Sequence, residues 1–439
     1  MALDRDELNR RRRAREEQRK RRQAAQRRMY LRLAAAALVL IACAVVIFLL
    51  SRNSGGTEAT PVISDQVEIH EDLPEVTQAP TEAGNSWEKA PEVIHVVAAG
   101  DLNITDQVIW SGQISGEYDY TNAFMDVAPI FSEADLAMLN FEGNVCGTPY
   151  GTSSQSAPIE MIQALKNAGI DVVQMANSCT ISNGLIGLQS TLANIRAAGI
   201  EPIGAFSTEE KFSRSNGYTI CEVNGIKIAL VAFTKGLGGK GLPAGSEHCV
   251  NLLYEDYYTT YQTIDTAGIK SILRSVQSED PDLTIALLHW GSEYNDTISN
   301  SQETIASLML KKGVDAIIGT HSHMVHQIDY DATNGTLVAY SLGDFFGDAK
   351  QGGTSYSIIL DLEITKDYDT GETKITDYSY TPIYTLSESE CDGHRRVVRI
   401  ENAMSAYELN YVDKITSSAY SNMEFALDRI SKRINPDTE

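Results

Sequence analysis

Apolar positions follow three different rhythms along this chain. Residues 33–50 (LAAAALVLIACAVVIFLL) are apolar without interruption and carry no charge. As a helix, at 1.5 Å per residue, this run reaches roughly 27 Å, the thickness of a bilayer's hydrocarbon core. It predicts one transmembrane helix. Residues 51–91 are rich in Ser, Thr, Pro, Glu and Gly with no sustained apolar period, and read as a flexible acidic linker. From residue 92 onward a third rhythm begins, in which short buried-type runs alternate with amphipathic stretches.

The short runs predict strands over 93–99 (VIHVVAA), 135–139 (DLAML), 171–175 (DVVQM), 226–233 (IKIALVAF), 284–288 (TIALL), 315–318 (DAII) and 337–340 (LVAY). The amphipathic stretches predict helices over 158–168, 187–198, 268–277 and 302–312. Gly169, Gly199 and Gly313 follow three of them, where a left-handed residue ends a helix. This alternation predicts an α/β domain over 92–386. Residues 387–439 read as a polar, helical C-terminal extension.

Charge changes the picture at the N-terminus. Residues 1–32 hold 13 Lys or Arg against five acids, so a basic tail precedes the apolar run. Cationic flanks stay inside, so the expected topology is a single-pass protein of the cell membrane. The tail is then cytoplasmic, residues 33–50 contact the lipid bilayer, and the main domain is extracellular. The formal net charge of the whole chain is −23, and the acidic excess lies beyond the tail. Such a surface excludes nucleic acid as a partner. Past Cys43 five cysteines remain, an odd number without framework spacing, so disulfides are not expected to hold the domain together.

Candidate chemistry sits where the strands end. Asp101 and Asn103 follow the first strand, Asn140 and Glu142 the second, and Asn177, Ser178 and Cys179 the third. His289 and then Glu293 follow TIALL, His321 and His323 follow DAII, and Asp344 follows LVAY. Ligands of α/β sheets gather at the carboxyl ends of strands, so these groups are expected to line one crevice. Asp101/Asn103, Asn140/Glu142 and His321/His323 are i, i+2 pairs, which in extended backbone share a face. Carboxylates with imidazoles suit a divalent Mn, Zn or Fe better than Ca or Mg. One or two such ions would clamp a phosphoryl or acyl centre and activate water. His70, His95, His248 and His394 lack such company and are read as structural.

The blocks Gly100-Asp101, Asn140-Phe141-Glu142-Gly143, Ala176-Asn177, His289-Trp290-Gly291-Ser292-Glu293, Gly319-Thr320-His321-Ser322-His323 and Ser341-Leu342-Gly343-Asp344-Phe345 follow one another in the order and spacing of a known family. Over residues 93–385 the chain resembles the CapA family of capsule-synthesis proteins. That resemblance implies a four-layer, metallophosphoesterase-like sandwich of two sheets flanked by helices. It implies Asp101, Glu142, His289, His321 and His323 as metal ligands, with Asn140 and Glu293 as polar groups of the same site. It also implies an anionic envelope polymer, poly-γ-glutamate, as substrate, and other membrane capsule-synthesis subunits as partners. The chain departs from the family in three blocks: Leu102-Asn103-Ile104-Thr105-Asp106 follows Gly100-Asp101 without the family's Arg, Asp344 stands in place of an Asn, and the third block bears on catalysis. Ala176-Asn177-Ser178-Cys179, then Ser182, stands where the family has Ala-Asn-Asn-His followed by Asp. Cys179 thereby becomes a candidate ligand or nucleophile. Two functions are expected from this reading: a metal-dependent hydrolase or transferase, or a catalytically degenerate scaffold that handles polymer for a synthase.

Overall fold

The computed structural model describes residues 89–410 and 414–436, all within the compact unit Asn85–Glu439. Among these residues no helix is long and apolar enough to cross a membrane. The helix expected over 33–50, the basic tail and most of the linker lie outside the described residues. The single-pass topology, the bilayer contact and the cell-membrane localisation are corrected accordingly. The described residues form an α/β sandwich in which no helix spans a membrane.

Strand β1 (Glu92–Asn103) opens the fold, followed by a small hairpin of β2 (Gln113–Ile114) and β3 (Glu117–Tyr118). Then come β4 (Leu136–Glu142), β5 (Val172–Gln174), β6 (Glu201–Ile203), β7 (Tyr218–Val223), β8 (Ile226–Thr234), β9 (Leu283–His289) and β10 (Ala316–Thr320). The chain continues through β11 (Ile328–Asp331), β12 (Thr336–Ala339), β13 (Asp344–Phe346), β14 (Tyr356–Lys366), β15 (Thr373–Leu386) and β16 (Arg396–Arg399). One sheet has the order β16-β15-β14-β1-β4-β5-β6, with β13 added alongside the end of β1. The other has the order β11-β12-β10-β9-β8-β7. Each sheet is parallel at its centre and antiparallel towards β14–β16 or at its edges.

Strand β8 explains the layering. Its side chains alternate, so Ile228, Leu230 and Ala232 join the core between the sheets while Ala229, Val231 and Phe233 face away. The outward set packs under helices Thr266–Ser278 and Asn300–Leu310 through Ile269, Leu273, Val276, Ile305 and Met309. Helices Ile159–Ala168, Gly184–Ala197 and Ser417–Ile434 contribute buried Leu165, Leu192 and Met423 to the core of the larger sheet. The result is helices, sheet, sheet, helices.

A structural carboxylate sits at the foot of β10. Asp315 accepts a hydrogen bond from the Thr284 amide at 2.8 Å, and burial pushes its pKa up to about 6. The folded state therefore holds this proton more tightly than the unfolded chain. The associated stability is present below pH ~4 and is lost as pH rises through about 6. Asp315→Asn keeps the acceptor and removes the titration. Urea unfolding at pH 4 and pH 7 is expected to show the variant gaining about 2 kcal/mol on the wild type across that interval. Parallel pH profiles would refute this assignment.

Candidate metal centre

Register brings the strand-end side chains together. Strand β1 pairs with β14 as far as Ala98 and with β4 from Val96; its register on β4 shifts between Ala98 and Asp101, and from Asp101 it pairs with β13 as well. This places Asp101 opposite both Asp344 and Asn140, and Asn103 opposite Glu142. The irregularity falls at Gly100, where a Cβ would lie 1.8 Å from the Gly343 carbonyl oxygen. That same oxygen accepts the Asp101 amide at 3.0 Å. In the second sheet Thr320 of β10 lies opposite His289 of β9. Both sheets therefore aim their carboxyl ends at one place.

Hydrogen bonds fix the groups there. Asn177 donates to Asn140 Oδ1 at 3.0 Å, and Asn140 donates to Asp101 Oδ1 at 2.6 Å. His289 Nδ1 lies 3.1 Å from Thr320 Oγ1, while its Nε2 lies 3.0 Å from Ser178 Oγ and 3.4 Å from Glu142 Oε1. His323 Nδ1 lies 2.7 Å from Asp344 Oδ1 and 3.7 Å from Asp101 Oδ2. Asn103 donates to Asp344 Oδ1 at 2.8 Å.

The two histidines after β10 reach the site differently from the extended pairing that their spacing predicts. His321 has φ 91° and His323 φ 60°, so both sit in left-handed backbone. For a non-glycine residue this costs of order 1–3 kcal/mol and needs support from outside. Asp101 Oδ2 supplies part of it by accepting the His321 amide at 3.0 Å. The turn separates the ring centroids by 6.3 Å, so the two imidazoles join different ligand groups.

Those groups are Glu142, His289 and His321, and Asp101, Glu142 and His323; within each, candidate ligand atoms lie within 4.8 Å of one another. Glu142 belongs to both. The chemistry of the donors fits a divalent cation, and so do two orphaned atoms. Glu142 Oε2 and His321 Nδ1 are buried with no hydrogen-bond partner, a costly state unless a cation completes it. Burial, with Glu142 close by, raises the Asp101 carboxyl to about 6. Burial also disfavours charge on His323, but Asp344 overrides it and lifts the ring to about 11. Burial and the neighbouring His289 ring depress His321 well below its usual range, leaving a neutral imidazole suited to ligation.

A cavity of about 440 Å³ opens over this cluster, with Glu142, Ser178, His323 and Asp344 on its wall. Cys179 and Glu293 also line it but stand apart from the two ligand groups. The Cys179 thiol lies 3.5 Å from Gln155 Oε1, and burial pushes its pKa up, so it remains a thiol. Tyr294 stacks on His323 with centroids 5.1 Å apart and borders the cavity. Asp344 is a more intimate member of the site than its place in the Ser-Leu-Gly-Asp block alone implies. Lys235 was missed by the sequence reading. It follows β8 directly, donates to the Gly291 carbonyl, and contributes to keeping His321 neutral. The strand-end rule applied to β8 would have found it.

Two facing mixed sheets, with a buried carboxylate–imidazole cluster at their strand ends, define an α/β sandwich with a candidate metal centre. The family profile described as bacterial capsule synthesis protein PGA_cap matches residues 95–349, and the chain belongs to that family. It is 27% identical over 261 residues to a PGA biosynthesis protein CapA of Bacillus subtilis, covering 58% of this chain and 63% of the relative. It is 28% identical over 264 residues to a capsule biosynthesis protein CapA of Bacillus anthracis, covering 58% and 60%. The chain thus spans about three-fifths of the length of these curated relatives. Among solved structures it is similar to the calcineurin-like phosphoesterase YfkN of Bacillus subtilis, with 16% identity and a TM-score of 0.40. That match covers 78% of this chain and all of the other.

Proposed function

We propose that this protein is a metal-dependent hydrolase or transferase of capsule synthesis, acting on an anionic polymer such as poly-γ-glutamate. The observation that carries this reading is the sharing of Glu142 between two ligand groups, with its second oxygen and His321 Nδ1 left orphaned. Asp101, Glu142, His289, His321 and His323 would hold one or two divalent ions, Asp344 being hydrogen-bonded to His323. A bound ion supplies Lewis-acid polarisation of a phosphoryl or acyl oxygen and activates water. The chain's own residues do the positioning. Asn140 and Asn177 orient Asp101, Thr320 orients His289, and Asn103 with Asp344 orients His323. The polymer itself enters on the names of the CapA relatives.

The test is metal analysis of Asn85–Glu439 purified without chelator, beside the doubly substituted His321→Ala/His323→Ala protein. The wild type is expected to carry stoichiometric transition metal and to shorten or transfer poly-γ-glutamate. The double variant is expected to lose both properties while keeping its circular dichroism spectrum. Equal metal content in the two proteins would sink the reading.

Cys179 favours a second reading, that of a polymer-handling subunit without turnover. A half-buried thiol held protonated in the cavity wall replaces an imidazole that could move a proton. Stoichiometric metal without any change in polymer length would select it.

A further inference from the structure

The loop after β8, residues 235–241 (KGLGGKG), lies against the site. Gly238 and Gly239 have φ 59° and 74°, and a Cβ on Gly238 would stand 3.1 Å from the Ser178 carbonyl oxygen. These glycines let the loop press against the 178–182 segment and bring Lys240 to the cavity wall. There the Lys240 ammonium donates to the Ser182 carbonyl at 3.1 Å. An ammonium has three donors, so two remain available. Glu142, Glu293, Asp344 and Asp348 line the same cavity. The cavity's other lysine, Lys350, is neutralised by Asp348 at 2.7 Å. Lys240 forms no ion pair among the described residues. Lys240 is solvent-exposed, and once bound divalent cations offset the carboxylates of the cavity an ammonium on its wall with no ion pair is a place for an anion.

We propose that Lys240 anchors a second subsite of this cavity, taking a carboxylate or phosphate oxyanion of the substrate remote from the group that meets the metal centre. This rests on the metal-centre reading and adds a rule of selection to it. The substrate carries two anionic groups, one for the ligand cluster and one for the lysine. A chain with a charge on every repeat meets that requirement, and a simple neutral ester does not.

The test compares two probes on the zinc- or manganese-loaded protein by calorimetry at low salt. Ethylphosphonate offers one anionic group, and 3-phosphonopropionate adds a carboxylate at the end of the same chain. The wild type is expected to bind the second about tenfold more tightly. Lys240→Ala is expected to erase that advantage, Lys240→Glu to reverse it, and Lys350→Ala to retain it. Equal affinities in the wild type, or an advantage that survives Lys240→Ala, would overturn the Lys240 assignment and leave the metal centre standing. Failure of the wild type to take up zinc or manganese would overturn the metal-centre reading and the subsite together, and failure of a loaded wild type to bind 3-phosphonopropionate would overturn the subsite alone. Unchanged metal content and melting curves in the lysine variants separate these outcomes from misfolding.

Discussion

Glu142→Ala is expected to strip divalent metal from the protein more completely than the loss of any one histidine. Its carboxylate belongs to both ligand groups, whereas His289 and His321 serve one and His323 the other. Residues that merely orient a ligand already cost 10–100-fold in metal affinity when removed, so a shared ligand should cost at least about 100-fold. Competition against a chromophoric chelator measures this directly. His321→Ala alone is expected to retain metal in the Asp101, Glu142, His323 group. If Glu142→Ala retained as much metal as the wild type, the two groups would not be a metal centre.

The second large effect is on folding. Gly100→Ala places a methyl group 1.8 Å from the Gly343 carbonyl oxygen, far inside any real contact. The oxygen cannot retreat without breaking its hydrogen bond with the Asp101 amide. Either β13 leaves β1 or the register shift that aims Asp101 at the site is undone. A loss of about 4 kcal/mol or more is expected, seen as a collapse of the urea midpoint or as insoluble protein. Gly352→Ala is the matched control. Its Cβ meets nothing within 4 Å, so its midpoint should stay within about 0.5 kcal/mol of wild type. Similar behaviour of the two variants would remove the steric argument.

Much of this architecture was legible in the residues. The run DLAML became β4, IKIALVAF became β8, TIALL became β9 and DAII became β10, because wholly buried central strands are uniformly apolar. The polar residues after them stood out against that background, and Asp101, Asn140, Glu142, His289, His321 and His323 do meet. Less legible was the long arm of β14 and β15. Tyr356–Lys366 alternates buried Ile358, Leu360, Leu362 and Ile364 with positions that include half-buried Asp361 and Glu363. Its own polar face blurs the signal. Also hidden was the left-handed turn at His321 and His323, since nothing in the side chains announces positive φ where Asp101 rather than glycine makes it tolerable. Lys240 could not be read at all, because only the path of a glycine-rich loop brings it to the cavity.

Strand β1 sits between β4 and β14, and the family-matched segment ends at residue 349, before β14 begins at Tyr356. Synthesis therefore delivers the half of the sheet that carries the candidate ligands first and its antiparallel arm afterwards. Until Lys366 has emerged, the amides and carbonyls from Glu92 to Ala98 face nothing on one side. A nascent chain in that condition can zip onto another copy of itself, so the antiparallel arm is a safeguard against aggregation as well as a wall of the core.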